Sequence, residues 1–132
     1  MDPSPGSNVV LLAEQFPSNV YPWRRLASDS ELEVRTVEAP VTDGSRGEAW
    51  NASLLEAIDS STSVVAVPHY HWMDGTRFDL EAVGNRAREL GAALVIDGTQ
   101  SVGAAPFELA TIRPDVLVCA GYKWLLGPYS LG

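Results

Sequence analysis

Four short apolar runs punctuate the chain: Val9-Val10-Leu11-Leu12, Val64-Val65-Ala66-Val67, Leu94-Val95-Ile96 and Val116-Leu117-Val118-Cys119. Each is continuous rather than alternating, the pattern of a strand buried on both faces of a parallel sheet. Segment 32–37 alternates apolar and charged residues and predicts a fifth strand nearer an edge. Between the strands the period changes to that of a helix. Leu80, Val83, Ala87 and Leu90 form one stripe, with Asp79 placed to cap it and Gly91 to end it. Trp50, Leu54, Ala57 and Ile58 form a second stripe over 48–58, and Pro22 opens a shorter helix over 22–27. Segment 41–47 is a loop.

The order β-α-β-α-β-α-β-loop-β predicts an α/β fold, a mostly parallel sheet with flanking helices. Five strands with three helices leave part of such a sheet uncovered, so the 132 residues read as the middle of a longer protein, with a compact small α/β domain as the alternative. Composition narrows the function classes. Seventeen acidic against nine basic residues give a net charge of −8, which repels a phosphate backbone and argues against a nucleic-acid partner. No apolar run approaches the ~20 residues that span a bilayer, so no membrane role is expected. The lone Cys119 cannot form an internal bridge and suits a reducing cytosol, giving a cytoplasmic expectation.

Ligands of parallel α/β sheets sit outside the carboxyl ends of the strands. The residues just past each apolar run are therefore the candidates. Asp97 ends the run 94–96, and Gln100 follows three residues later with an amide that donates or accepts. The plain alternative for this pair is a turn-forming Asp-Gly beside a solvated glutamine. Lys123 is the one lysine among nine cationic residues. It follows the last run and is flanked by Tyr122 and Trp124, a setting that suits a Schiff-base amine as well as a surface lysine. A lysine, a carboxylate, a donor and a stacking aromatic are what pyridoxal phosphate needs. Lys123, Asp97, Gln100 and Phe16 supply those types from different strand ends.

Asp97-Gly98-Thr99-Gln100-Ser101-Val102-Gly103, then Asp115, then Gly121-Tyr122-Lys123-Trp124-Leu125-Leu126-Gly127-Pro128 resembles class V aminotransferases. These are fold type I pyridoxal-phosphate enzymes that include cysteine desulfurases and kynureninases. The resemblance runs from about Asn8 to Gly132. It implies that Lys123 carries the cofactor and is the catalytic residue, that Asp97 pairs with the pyridine nitrogen and that Gln100 faces the ring oxygen. Phe16-Pro17-Ser18-Asn19 is similar to the kynureninase-type segment Phe-Pro-Thr-Asp. Phe16 is then the stacking aromatic, with core packing as its alternative, and Asn19 a polar neighbour of the ring. Tyr122 matches a position that touches the phosphate.

The same resemblance implies a small amino-acid substrate, a homodimer for the full-length enzyme, and transamination, C–S lysis or kynureninase-like C–C lysis as the reaction. Residues 1–132 match the central segment of the cofactor-binding large domain, with the phosphate cradle and the C-terminal domain falling outside the match. A catalytically silent remnant of that fold, kept for structure or interaction, is the alternative. Ala120 and Pro68 stand where the family often has serine, which removes two hydroxyl donors. His69, His71 and Asp74 have metal-like spacing without a supporting cysteine or further histidine, so they are expected to line the substrate side of the pocket and no metal is assigned. Cys119 is expected to be a small core residue. Arg77, Arg86 and Arg88 are expected on a solvated loop and helix face.

Overall fold

The computed structural model describes residues 3–132. Five parallel strands form one sheet in the order β2-β1-β3-β4-β5. They are β1 (Asn8–Leu12), β2 (Glu33–Val37), β3 (Thr62–Pro68), β4 (Ala93–Asp97) and β5 (Val116–Val118). The helices are α1 (Tyr21–Ser30), α2 (Arg46–Ala57), α3 (Leu80–Leu90) and α4 (Leu109–Ile112). Chain order runs from β1 outward to β2, then crosses back over β1 to β3, β4 and β5. Right-handed crossovers in these two directions place their helices on opposite faces.

The packing follows that rule. Val10, Leu12, Val65, Val67, Leu94 and Ile96 pack with Trp50, Leu54, Ile58, Phe78, Val83 and Ala87 beneath α2 and α3. The alternate positions Val9, Leu11, Val64, Ala66 and Val95 pack beneath α1 with Val20 and Trp23. Period-two alternation thus feeds two cores from one set of continuous apolar runs.

The α3 ends are as the sequence implies. Asp79 Oδ1 accepts the Ala82 N–H at 3.0 Å, and Gly91 stops the helix at φ 74°. Helix α2 starts at Arg46, earlier than the apolar stripe indicates, because Ser45 Oγ accepts the Glu48 N–H at 3.3 Å. Helix α1 continues to Ser30, past the expected end at 27, supported by the Arg25–Asp29 ion pair at 2.7 Å and ended by left-handed Glu31. Helix α4 falls in a segment without helical periodicity. Arg88 Nη1 donates to its last carbonyl, Ile112 O, at 2.8 Å.

Two expectations are corrected here. The run 116–119 is not buried on both faces: Val116 is 37% and Val118 49% exposed, because β5 is an edge strand of three residues beyond the reach of α1. Arg86 and Arg88 are not simply solvated, since Arg86 Nε also donates to Ile58 O at 3.1 Å and both are half-buried as staples across element ends. No helix among the described residues is long and apolar enough to cross a membrane.

Candidate functional site

All five strands point their carboxyl ends to one rim, and four of those ends line one cleft. Its walls are Gln15, Phe16 and Ser18 after β1, Pro68, Tyr70 and Trp72 at and after β3, Asp97, Thr99 and Gln100 at and after β4, and Ala120, Tyr122 and Lys123 after β5. About 480 Å3 of open space lies between these walls, solvent at the mouth included. The chain reverses its winding direction between β1 and β3, and this switch point is where open parallel sheets leave a crevice.

The β1 end is shaped by a hydrogen-bond relay. Gln15 Nε2 donates to Ala66 O at 3.1 Å, Asn19 Nδ2 donates to Gln15 Oε1 at 2.7 Å, and Trp23 Nε1 donates to Asn19 Oδ1 at 3.1 Å. With Gln15 and Asn19 turned inward, Phe16 is left 44% exposed on the cleft wall, which removes core packing as its role. Asn19 lies in an adjoining depression that shares Asp97 and Thr99 with the cleft, and both ends of its amide are engaged.

The β4 end carries the carboxylate. Asp97 Oδ1 accepts the Thr99 N–H at 3.0 Å, which fixes its rotamer and leaves Oδ2 with no hydrogen-bond partner among the described residues. Gly98 sits in a tight space beside it. A Cβ there would stand 2.7 Å from Val102 Cγ2 and 2.9 Å from Leu117 Cδ1. The Gly98 N–H donates to Val118 O at 2.7 Å, and Thr99 Oγ1 accepts the Ala120 N–H at 3.1 Å. These two bonds bind the Asp97 turn to the segment that leads into Lys123.

That segment is closed on itself. The Gly127 N–H reaches Gly121 O at 2.8 Å and the Leu126 N–H reaches Lys123 O at 3.1 Å, while the Tyr122 and Tyr129 rings stack at 4.3 Å. Lys123 is half-buried within it. The structure thus brings Phe16, Asp97, Gln100, Tyr122 and Lys123 to one cleft and sets Asn19 behind it.

The two histidines do not line this cleft, contrary to expectation. His69 is buried beside Phe107, with ring centroids 5.4 Å apart, and borders a separate depression with Arg77, Asp79 and Glu108. Burial first, and the Arg77 charge second, hold its pKa below the ordinary value. His71 turns inward against Trp50 at 5.0 Å between ring centroids. No cluster of three or more His, Cys, Asp or Glu able to hold a metal occurs among the described residues. Cys119 is half-buried rather than a core residue, since it lies past the exposed end of β5 and lines the depression next to Asp97.

Sequence reasoning missed Gln15, and it placed Tyr70, Trp72 and Thr99 in stretches that follow strands without giving any of them a role. Each of the four lies within four residues of a strand end, and Thr99 also lies inside the motif that carries Asp97 and Gln100.

The class V aminotransferase family model matches residues 2–132. The chain belongs to the class V aminotransferase family. Among curated relatives, the probable cysteine desulfurase of Methanothermobacter thermautotrophicus is 32% identical over 130 residues, covering 96% of this chain and 30% of that protein. The cysteine desulfurase of Haloferax volcanii is 30% identical over 128 residues, covering 97% of this chain and 29% of that protein. The chain therefore spans about 30% of the length of these relatives. The apo cysteine desulfurase of Thermococcus onnurineus NA1 superposes with a TM-score of 0.73 at 26% identity, over 96% of this chain and 30% of that one. A C-DES mutant with glycine covalently linked to its PLP cofactor shares the fold, with a TM-score of 0.81 at 21% identity, over 97% of this chain and 34% of that one.

Pyridoxal phosphate is the cofactor of this family. The donor set of the cleft fits it. Residues carrying a carboxylate with an unpartnered oxygen, an amine, an amide, a phenol and an exposed aromatic ring line one cleft.

Proposed function

We propose that this cleft binds pyridoxal phosphate through Lys123 and that the protein acts on a small amino acid. The observation that carries the proposal is the placement of Lys123 and Asp97, from separate strands, on the walls of one cleft with Phe16 between β1 and the opening. When bound, pyridoxal phosphate supplies an electron sink for charge that develops at the substrate α-carbon. Asp97, held by Thr99, presents Oδ2 as the anion that keeps a ring nitrogen protonated. Gln100 offers an amide donor, Tyr122 a phenol for the phosphate, and Phe16 an apolar face. Lys123 Nζ is the anchoring amine and, when free, the base that takes a proton from the substrate α-carbon. Trp72 and Tyr70 add aromatic surface to the cleft wall.

The names of the relatives support carbon–sulfur cleavage of cysteine as the overall reaction. A second reading, kynureninase-like carbon–carbon cleavage or transamination, is favoured by Phe16, whose hydrocarbon ring has no proton to give. The deciding experiment adds pyridoxal phosphate to the protein, reduces with borohydride and maps the adduct by mass spectrometry. A stable adduct on Lys123, together with deuterium exchange at the α-carbon of cysteine that Lys123→Ala abolishes, supports the proposal. Absence of any adduct overturns it and returns the chain to the role of a structural remnant.

A further inference from the structure

The hairpin that follows β3 brings Tyr70 and Trp72 to the cleft wall, and it also makes two side-chain contacts to the backbone that leads into Phe16. It is a closed unit. Tyr70 and Arg77 form an antiparallel bridge, His71 N–H donates to Thr76 O at 2.8 Å, Gly75 N–H donates to His71 O at 2.9 Å, and Thr76 N–H donates to Asp74 Oδ1 at 3.0 Å.

From this unit two ring N–H groups reach across to successive carbonyls at the end of β1. His71 Nε2 lies 3.2 Å from Ala13 O and Trp72 Nε1 donates to Glu14 O at 2.7 Å. Because a carbonyl oxygen only accepts, His71 carries its proton on Nε2. His71 is 2% exposed, so this is a dry and well-fixed contact. Its ring packs against Trp50, and Asp74 Oδ1 stands 3.4 Å from Nδ1, which makes no hydrogen bond among the described residues. Arg46 holds Asp74 Oδ2 at 2.6 Å and lies over the Trp50 ring at 5.2 Å.

The backbone these donors grip is unusual. Glu14 has φ 53°, a left-handed conformation that costs a non-glycine residue on the order of 1–2 kcal/mol. That turn directs the chain so that Phe16 faces the cleft, where its ring meets the Trp72 edge at 5.4 Å and 88°. Two donors on the two carbonyls flanking the left-handed residue over-determine the turn.

We infer that His71 and Trp72 are positioning residues that set the height of the Phe16 ring over the cleft, and so the cleft's affinity for a flat heteroaromatic ligand. The inference rests on the proposed pyridoxal-phosphate site but does not involve Lys123. Pyridoxine 5′-phosphate, which has no aldehyde and so forms no bond to the lysine, isolates the ring-holding step and serves as the probe in calorimetric titration.

Trp72→Phe keeps an aromatic edge and deletes the N–H; it weakens binding about fivefold, as expected for one hydrogen bond. His71→Leu gives a similar loss, and His71→Gln, whose amide reaches the same carbonyl, recovers affinity to within about twofold. In a Phe16→Ala background each loss shrinks below about twofold, because the group being positioned is gone. Melting of the ligand-free variants measures any folding cost separately, and Trp72→Phe decides the matter if His71→Leu does not fold. Unchanged affinity in the Phe16-containing variants, or an equal loss with and without Phe16, overturns the inference while binding by the parent protein stands. Failure of the parent protein to bind the probe overturns the proposed site as well.

Discussion

Thr99 Oγ1 accepts the Ala120 N–H at 3.1 Å and thereby joins the turn after β4 to the strand end that leads into Lys123. The same residue's N–H fixes Asp97 Oδ1 at 3.0 Å. One threonine therefore sets both the carboxylate and the loop that carries the amine. Thr99→Val keeps shape and loses the oxygen; it is expected to destabilise the fold by about 1 kcal/mol and to weaken cofactor binding more than its melting temperature implies. Parallel thermal melts and pyridoxal phosphate titrations check this. Thr99→Ser, which keeps the oxygen, is expected to lie close to the parent in both.

Asp97→Asn keeps the bond to Thr99 but removes the charge. The expected result is retained cofactor attachment with α-proton exchange slowed on the order of 100-fold. Loss of attachment itself would assign Asp97 to anchoring instead. Deuterium incorporation followed by NMR separates the two.

Gly84 lies where α3 meets α4. A Cβ there would sit 2.5 Å from Ile112 O and 3.4 Å from Leu94 Cδ2. Backbone cannot give way as a side-chain tip can, so Gly84→Ala is expected to cost about 1–3 kcal/mol despite the better helix propensity of alanine. Denaturant unfolding measures it, and a neutral result would mean that α4 moves freely.

Acid sensitivity has two stages. His69 has its pKa lowered by burial and then by Arg77, so the unfolded chain binds the proton more readily than the folded one. Its contribution is complete above the unfolded value of about 6.5 and is lost as pH falls through the lower folded value. Asp59 is held below the usual carboxylate range by hydrogen bonds from the Ser61 hydroxyl and from Arg35, with the Ser61 N–H adding to them. Its contribution is present above the unfolded value of about 3.9 and fades further down. Melting temperature is expected to decline first below pH ~6.5, a step that His69→Phe removes, and again below pH ~4, a step that Asp59→Asn removes. A flat profile between pH 7 and 5 would contradict the burial of His69.

The parallel strands were legible because doubly buried strands read as unbroken apolar runs, and Asp79 and Gly91 marked α3 by their capping chemistry. Helix α4 was not legible, since four residues carry no period and Arg88 supplies their order from another element. The exposure of β5 was also hidden: Val116 and Val118 look the same in sequence whether or not a helix covers them. In the site, Asp97, Gln100 and Lys123 announced themselves by position after strands. Gln15 and Trp72 did not, because their roles depend on partners 51 and 58 residues away. His71 was read outward for the same reason; only Trp50 and Ala13 O, distant in sequence, show that it turns in.

Because the strands all run one way, the cleft residues sit at strand ends and on the turns after them while the two cores below are filled from strand interiors. Chemistry and cohesion are thus divided between different stretches of polypeptide. An engineer who exchanges the side chains at Phe16, Tyr70, Gln100 or Tyr122 alters what the cleft accepts without repacking the interior, whereas any insertion at Gly98 would disturb both at once.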